Sequence, residues 1–324
     1  MSRPIRPSRP SRPSRLLLVA ASLAAALSLV AAAHAGNFRE RVAQRLAERR
    51  GDAGDRMAPA DVPPGVRVLR DIPYGNDPHQ RLDVYVPVNG TTHAPVVFMV
   101  HGGGWRRGDK DMDSVVTHKV ARWVPRGIVF VSVDYRMLPE ANPQVQAQDV
   151  ARALAYVQRH ASAWGGDGAR TVLMGHSAGA HLVSLIEASP TWAAQAGAGP
   201  WLGMVSLDSG ALDVPALMQA PHMPLYDEAF GNDPAFWLAV SPQQQLAPHR
   251  PPLLAVCSTQ RTRSCEQSSA FVDKARASDT RARLLREDLS HREINDELGE
   301  PGAYTDAVEA FMATLDPGLA RRLR

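Results

Sequence analysis

The sequence predicts an α/β protein: one mostly parallel central sheet, helices on both of its faces, and a small cap-like insertion. Three observations carry that expectation. From residue 66 onward, short β-branched runs alternate with longer segments of helical period, the pattern of right-handed strand-helix-strand units. Residues 96–100, Val-Val-Phe-Met-Val, are continuously apolar, as a strand covered on both faces must be. A glycine-framed pentapeptide, Gly175-His176-Ser177-Ala178-Gly179, directly follows the apolar run 171–174, which reads as a sharp strand-to-helix turn.

The elements follow in order. Residues 66–72 and 81–87 alternate apolar and polar like an antiparallel hairpin, and 96–100 is the buried central strand. A helix is expected over 114–123, a strand over 128–133 and a helix over 145–160. The strand 171–174 then leads into a helix over 178–188, and 204–207 is the next strand. Residues 213–247 interrupt the alternation with Leu217, Met218, Met223, Leu225, Tyr226, Phe230, Phe236 and Trp237 in a proline-rich frame. At the carboxyl ends of a parallel sheet, such an insert would wall a ligand pocket; a surface excursion with its own small core is the blander reading. The strands 253–257 and 282–285 and the helices 266–276 and 304–315 complete the set. No internal repeat is evident.

The first 35 residues stand apart. Residues 1–15 carry five arginines, 16–32 are apolar, and Ala33-His34-Ala35 follows. That is the anatomy of a secretory signal peptide with cleavage expected after Ala35; an uncleaved anchor is the rival reading. The formal net charge of +3 includes those five arginines and no acid before residue 36, so the mature chain carries −2. No basic stripe interleaved with aromatics remains, and nucleic acid is not an expected partner. After cleavage no stable membrane insertion is expected, and the protein should be secreted or periplasmic. Residues 36–50 place Phe38, Val42 and Leu46 on one side of a short amphipathic helix, and Gly, Asp and Pro dominate the segment after it. Residues 36–65 therefore read as an arm and linker, and 66–324 as one catalytic domain. Cys257 and Cys265 are the chain's two cysteines, and export to an oxidising compartment favours a bridge between them.

The chemistry rests on three segments. In the pentapeptide, glycines two residues before and after Ser177 leave room for a strained, exposed serine, which makes Ser177 the candidate nucleophile. The central strand runs into His101-Gly102-Gly103-Gly104-Trp105, a loop type that offers backbone amides to a developing oxyanion, so Gly103, Gly104 and Ala178 are the expected donors. His291 follows the last strand, where a general base would stand. His101, His176 and His181 are more simply explained by packing. No metal or organic cofactor is expected, since no ligand spacing such as H-E-x-x-H occurs.

These segments resemble the α/β-hydrolase superfamily, in the esterase branch similar to hormone-sensitive lipase, bacterial feruloyl-type esterases and kynurenine formamidases. Asp134-Tyr135-Arg136 with Leu138-Pro139, Trp164-Gly165-Gly166-Asp167 and Ser209-Gly210-Ala211-Leu212-Asp213 extend the resemblance, which covers about residues 72–315. It implies the α/β-hydrolase fold and hydrolysis of a small-molecule ester through a Ser177 acyl-enzyme. The alternatives are an arylformamidase-type amide hydrolase and a non-catalytic binding protein on the same fold. The cap's composition points to an apolar or aromatic acyl or alcohol group.

One position departs from the family. Arg261 stands after the strand 253–257, where the family usually places its acid, and a cation there cannot stabilise an imidazolium. The candidates for the acid are Asp208, at the end of the preceding strand and the first choice, then Asp213 and Asp288. Asp213 could instead cap the next segment, Asp288 could be merely solvated, and Glu266 is better read as a first-turn helix acid.

Overall fold

The computed structural model describes residues 61–324. The leader 1–35, its cleavage site, the helix of Phe38, Val42 and Leu46, and most of the linker lie outside the described residues.

Eight strands form one sheet in the order β1-β2-β4-β3-β5-β6-β7-β8. They are β1 (Val66–Pro73), β2 (Arg81–Pro87), β3 (Ala94–Val100), β4 (Val129–Val133), β5 (Gly166–His176), β6 (Gly203–Leu207), β7 (Leu253–Ser258) and β8 (Ala282–Glu287). The β1/β2 and β2/β4 pairings are antiparallel and all the others are parallel. The chain builds β3, adds β4 on one side of it and then crosses to add β5 on the other. Loops leaving the carboxyl ends of β3 and β5 therefore diverge at a switch point, where sheets of this kind bind ligands.

Side-chain alternation along β3 explains the two-sided core. Val96, Phe98 and Val100 join one apolar cluster with Leu154, Leu182 and Leu185; Val97 and Met99 join another with Val116, Trp123, Val308 and Phe311. Successive strand residues point to opposite faces, so every residue of β3 is buried. The first cluster is covered by α2 (Pro143–His160) and α3 (Ala178–Ala188). The second is covered by α1 (Asp113–Trp123) and by a helix near the C-terminus, 303–313. Asn142 starts α2 by accepting a hydrogen bond from the Val145 amide at 3.1 Å, with Pro143 in the first helical position.

Strand β5 begins five residues before its apolar run, because Gly166 pairs with Ala94 across an irregularity in the β3/β5 register. After α3, a short helix α4 (Pro190–Gln195) precedes β6. The insertion 213–247 holds four short helices, α5 (Val214–Gln219), α6 (Pro224–Phe230), α7 (Pro234–Ala239) and α8 (Pro242–Gln245). Each has a proline in its first turn, where the missing N–H costs nothing. Leu217, Met218, Met223, Tyr226 and Phe230 are buried in the first cluster, so the insertion shares the domain's core. Helices α9 (Thr262–Ala277), α10 (Glu293–Asp296), α11 (Ala303–Ala313) and α12 (Pro317–Arg322) complete the chain. No helix among the described residues is long and apolar enough to cross a membrane.

Candidate active site

At the end of β5 the chain turns into α3 through Ser177, whose φ of 54° and ψ of −116° lie outside the ordinary regions for a side-chain-bearing residue. Two close approaches require the flanking glycines. A Cβ on Gly175 would lie 2.5 Å from the Gly179 carbonyl oxygen, and one on Gly179 would lie 2.2 Å from that of Val100. The turn is anchored to the neighbouring strand by the Ser177 amide, which donates to the Leu207 oxygen at 2.9 Å.

Ser177 Oγ lies 3.0 Å from His291 Nε2, and His291 Nδ1 lies 2.6 Å from Asp208 Oδ2. Ser177 leaves β5, Asp208 leaves β6 and His291 follows β8, so three strand ends converge on one line of hydrogen bonds. Asp208 is wholly buried and has a positive φ of 52°, and its amide donates to the Val256 oxygen at 2.8 Å. Its Oδ1 accepts from the Ser258 amide at 3.0 Å and from Ser264 Oγ at 2.5 Å. Its Oδ2 also accepts from Arg261 Nη1 at 2.6 Å. Burial alone would raise the Asp208 carboxyl, but the Arg261 guanidinium and His291 outweigh it and hold the group well below the usual carboxylate range. His291 is lowered by burial first and by the Arg261 charge second, against the opposing pull of Asp208.

The other acid candidates are elsewhere. Asp213 caps α5, accepting from the Ala216 amide at 3.3 Å. Asp288 accepts from Thr259 Oγ1 and Gln260 Nε2 at 3.4 and 3.3 Å. Glu266 is an exposed residue of α9.

The loop after β3 passes beside the serine. A Cβ on Gly102 would sit 3.0 Å from Ser177 Cβ and from the His176 oxygen. Gly103 and Gly104 have φ of 115° and 62°, in the region that favours glycine. His101 braces this loop: its Nδ1 donates to the Gly102 oxygen at 2.7 Å, and its ring stacks on Tyr135 with centroids 4.6 Å apart. His176 packs its ring 4.5 Å from that of His291 and donates from Nε2 to the His291 carbonyl at 2.9 Å. Burial first, and the neighbouring His291 second, keep His176 well below the ordinary imidazole value.

The cap meets the same loop. Arg106 Nη1 lies 2.6 Å from Glu228 Oε2 on α6, and Leu225 stands 3.7 Å from where a Cβ on Gly104 would be. Trp105 packs edge-on against Phe230 at 4.9 Å and lies 5.9 Å from Tyr226. These three rings are buried together in the first apolar cluster, where the cap packs on the glycine loop.

Two features escape the sequence. Arg261 is turned onto the carboxylate it displaces, and Ser258 and Ser264 supply further donors to that carboxylate. An arginine in the acid's usual place could have been read as the acid's partner, since a buried cation needs a buried anion. The Cys257 and Cys265 sulfurs lie 1.96 Å apart, linking β7 to the first turn of α9 across this segment. Among the described residues no group of three or more His, Cys, Asp or Glu side chains could hold a metal ion.

The strand order, the glycine-framed elbow and the strand ends that meet at it define an α/β-hydrolase fold. Within it, residues 82–193 match the family model described as BD-FAE. A probable isoprenylcysteine alpha-carbonyl methylesterase of Arabidopsis thaliana is 38% identical over 117 residues, 36% of this chain and 24% of that protein. A kynurenine formamidase of Danio rerio is 31% identical over 177 residues, 53% of this chain and 57% of that protein. The match therefore spans about a quarter of the plant relative and little more than half of the fish one. Among solved structures, esterase B of Lactobacillus rhamnosis superposes with a TM-score of 0.67 at 22% identity, covering 88% of this chain and 96% of that one. At that identity the likeness carries the fold alone.

Proposed function

We propose that this chain is an exported serine hydrolase that cleaves carboxylic esters. The observation that carries the reading is the line from Ser177 Oγ through His291 to Asp208, at 3.0 and 2.6 Å. In the proposed reaction His291 Nε2 takes the Ser177 proton as Oγ attacks the ester carbonyl. Asp208 holds Nδ1–H and offsets the charge of the imidazolium. The amides of Gly103, Gly104 and Ala178 receive the oxyanion, each such donor being worth about 3 kcal/mol of barrier. The intermediate collapses as His291 returns its proton to the leaving alkoxide, releasing the alcohol. Water, deprotonated by His291, then hydrolyses the Ser177 ester and frees the acid.

The names carried by relatives, a methylesterase and an esterase of Mycobacterium tuberculosis that is 26% identical over 246 residues, support ester substrates. The aromatic cluster of Trp105, Tyr226 and Phe230, where the cap meets the glycine loop, favours an apolar or aromatic group on one side of the ester. The Danio rerio match gives a second reading, hydrolysis of an aryl formamide by the same residues. Stoichiometric labelling of Ser177 by a fluorophosphonate tests the serine mechanism, and absence of labelling would leave a binding protein on this fold. Rates on p-nitrophenyl butyrate and N-formylkynurenine then separate ester from formamide. Export is supported by residues 1–35 and is tested by N-terminal sequencing of protein recovered outside the cytoplasm, expected to begin at Gly36.

A further inference from the structure

Arg261 occupies the place after β7 where a carboxylate would serve His291, yet it does not break the site. Its Nη1 lies 2.6 Å from Asp208 Oδ2, 3.3 Å from the Asp208 carbonyl and 2.7 Å from His291 Nδ1. The guanidinium and the imidazole thus share one carboxylate oxygen. Arg261 is nearly buried, at 9% exposure, and Asp208 is fully so.

We propose that Arg261 is a positioning residue that clamps the Asp208 carboxylate against His291 and, by its charge, opposes protonation of the resting imidazole. The inference rests on the serine-hydrolase reading above. The clamp is geometric. Besides His291, the side-chain oxygens of Asp208 take three donors, the Ser258 amide, Arg261 Nη1 and Ser264 Oγ. All three lie between Cys257 and Cys265, so one short segment builds the whole cradle. The electrostatic part follows from distance: a second positive charge on the imidazole would form 2.7 Å from a guanidinium nitrogen, beside a fully buried carboxylate. Asp208, already neutralised by Arg261, stabilises an imidazolium less than a lone carboxylate would.

The groups around His291 agree with this assignment. Asp208 faces it from β6, Arg261 from the segment before α9, and the uncharged His176 from the elbow. Lys119 on α1 acts on His176 and donates to the Asn295 oxygen at 2.6 Å, and Tyr304 of α11 lies within the field of Asp208. On the histidine's own segment, Arg292 pairs with Asp296 at 2.5 Å and Glu293 accepts from the Ser290 amide at 2.7 Å. Of these groups Arg261 is the cation that touches the ring, and it agrees in sign with the lowered titration of His291.

The test is the pH profile of kcat/KM on p-nitrophenyl butyrate for the wild type, Arg261→Gln and Arg261→Lys, with folding followed by circular dichroism. Catalysis needs neutral His291, so the acidic limb reports its protonation. In Arg261→Gln the limb should move to higher pH by about one unit, a tenfold relative loss on the limb. Arg261→Lys keeps the charge and should keep the limb near the wild-type position, whatever the height of its plateau. A uniform loss with an unmoved limb in Arg261→Gln would overturn the proposal, leaving Arg261 a merely structural ion pair. Should the Gln variant not fold, NMR titration of His291 in the wild type and in Arg261→Met, which keeps the length of the side chain without its charge, decides: a midpoint in Arg261→Met no higher than in the wild type overturns the proposal. That titration also separates the two readings. A wild type that neither turns over nor takes up fluorophosphonate removes the hydrolase reading, whereas the difference in His291 midpoint between the two proteins still reports the effect of Arg261.

Discussion

Trp105 donates its indole N–H to His181 Nδ1 at 3.2 Å, joining the glycine loop after β3 to the helix that follows the candidate nucleophile. His181 passes the connection on, its Nε2 donating to the Val240 carbonyl at 2.8 Å between α7 and α8. A ring that accepts on Nδ1 and donates from Nε2 is neutral, and burial pushes its titration down to about 4. Loop, helix and cap are thus tied together by one uncharged imidazole. Trp105→Phe removes the donor and leaves Nδ1 buried without a partner, at an expected cost of about 1–3 kcal/mol. Urea melts at pH 7.5 check it, and an unchanged midpoint would mean the bond contributes nothing.

The pH dependence of stability should have an acidic and a basic flank, both set on α3. His181 titrates lower in the folded chain than in the unfolded one, so its contribution is intact above the ordinary imidazole value and is lost as pH falls towards about 4. Glu187 behaves in the opposite sense. Burial, opposed by the Trp201 indole and the Arg250 charge, pushes it up to about 8. Its Oε2 accepts from Trp201 Nε1 at 2.5 Å and its buried Oε1 has no hydrogen-bond partner among the described residues. The folded chain therefore holds a proton there that the unfolded chain has given up above about 4.5. Stability falls as pH rises through that window to about 8.

Glu187→Gln tests the basic flank directly. The amide keeps an acceptor for Trp201 and cannot ionise, so the variant should gain on the wild type as pH rises. The gain should approach about 1.4 kcal/mol per pH unit between pH 5 and 8. Denaturant midpoints measured across that range check the slope. A constant offset between the two proteins would show that Glu187 ionises in the fold as it does in the unfolded chain, so that burial does not raise it.

Mutation of the convergent line separates Asp208 from Asp213. Ser177→Ala and His291→Ala should each lower kcat by about 10⁴-fold or more, and Asp208→Asn by a comparable factor through loss of the correct imidazole tautomer. Asp213→Asn should stay near the wild type in turnover, with at most about 1 kcal/mol of stability lost from the α5 cap. Steady-state rates on p-nitrophenyl butyrate check all four. Full activity in Asp208→Asn would remove the aspartate from the mechanism.

Much of this architecture is legible in the residues. Strands buried on both faces must be continuously apolar, and a serine at the elbow must have glycines where other backbones pass within van der Waals distance. The run 96–100 and the pair Gly175 and Gly179 therefore announce themselves. Helix α9 is read four residues late, because its first turn, Thr262, Arg263 and Ser264, is polar and carries the cradle rather than an apolar stripe. Helices α4 and α12, at six residues each, are shorter than two helical turns and cannot repeat an apolar period. Asp208 remains one of three candidates in the sequence, since no residue pattern states that its backbone adopts a φ of 52° and turns its carboxylate towards a histidine 83 positions away. Arg261 is hidden for the same reason: its role exists only once β6 and β7 are neighbours.

The link between Cys257 and Cys265 has a consequence for activity as well as stability. It spans eight positions, and closing so short a loop in the unfolded chain is worth about 2.5 kcal/mol in the chain-entropy account. The enclosed residues Ser258, Arg261 and Ser264 all donate to Asp208, so loosening the loop loosens the carboxylate that orients His291. Cys257→Ala with Cys265→Ala should lower the thermal midpoint and also lower kcat at a temperature where the variant is still folded. KM should change less, because the glycine loop and the cap cluster of Trp105, Tyr226 and Phe230 belong to other segments. Treatment of the wild type with a thiol reductant should reproduce the effect, and reoxidation should reverse it. Equal kcat in the oxidised protein and the double variant, both folded, would show that the backbone hydrogen bonds of the loop suffice to hold Asp208 without the bridge.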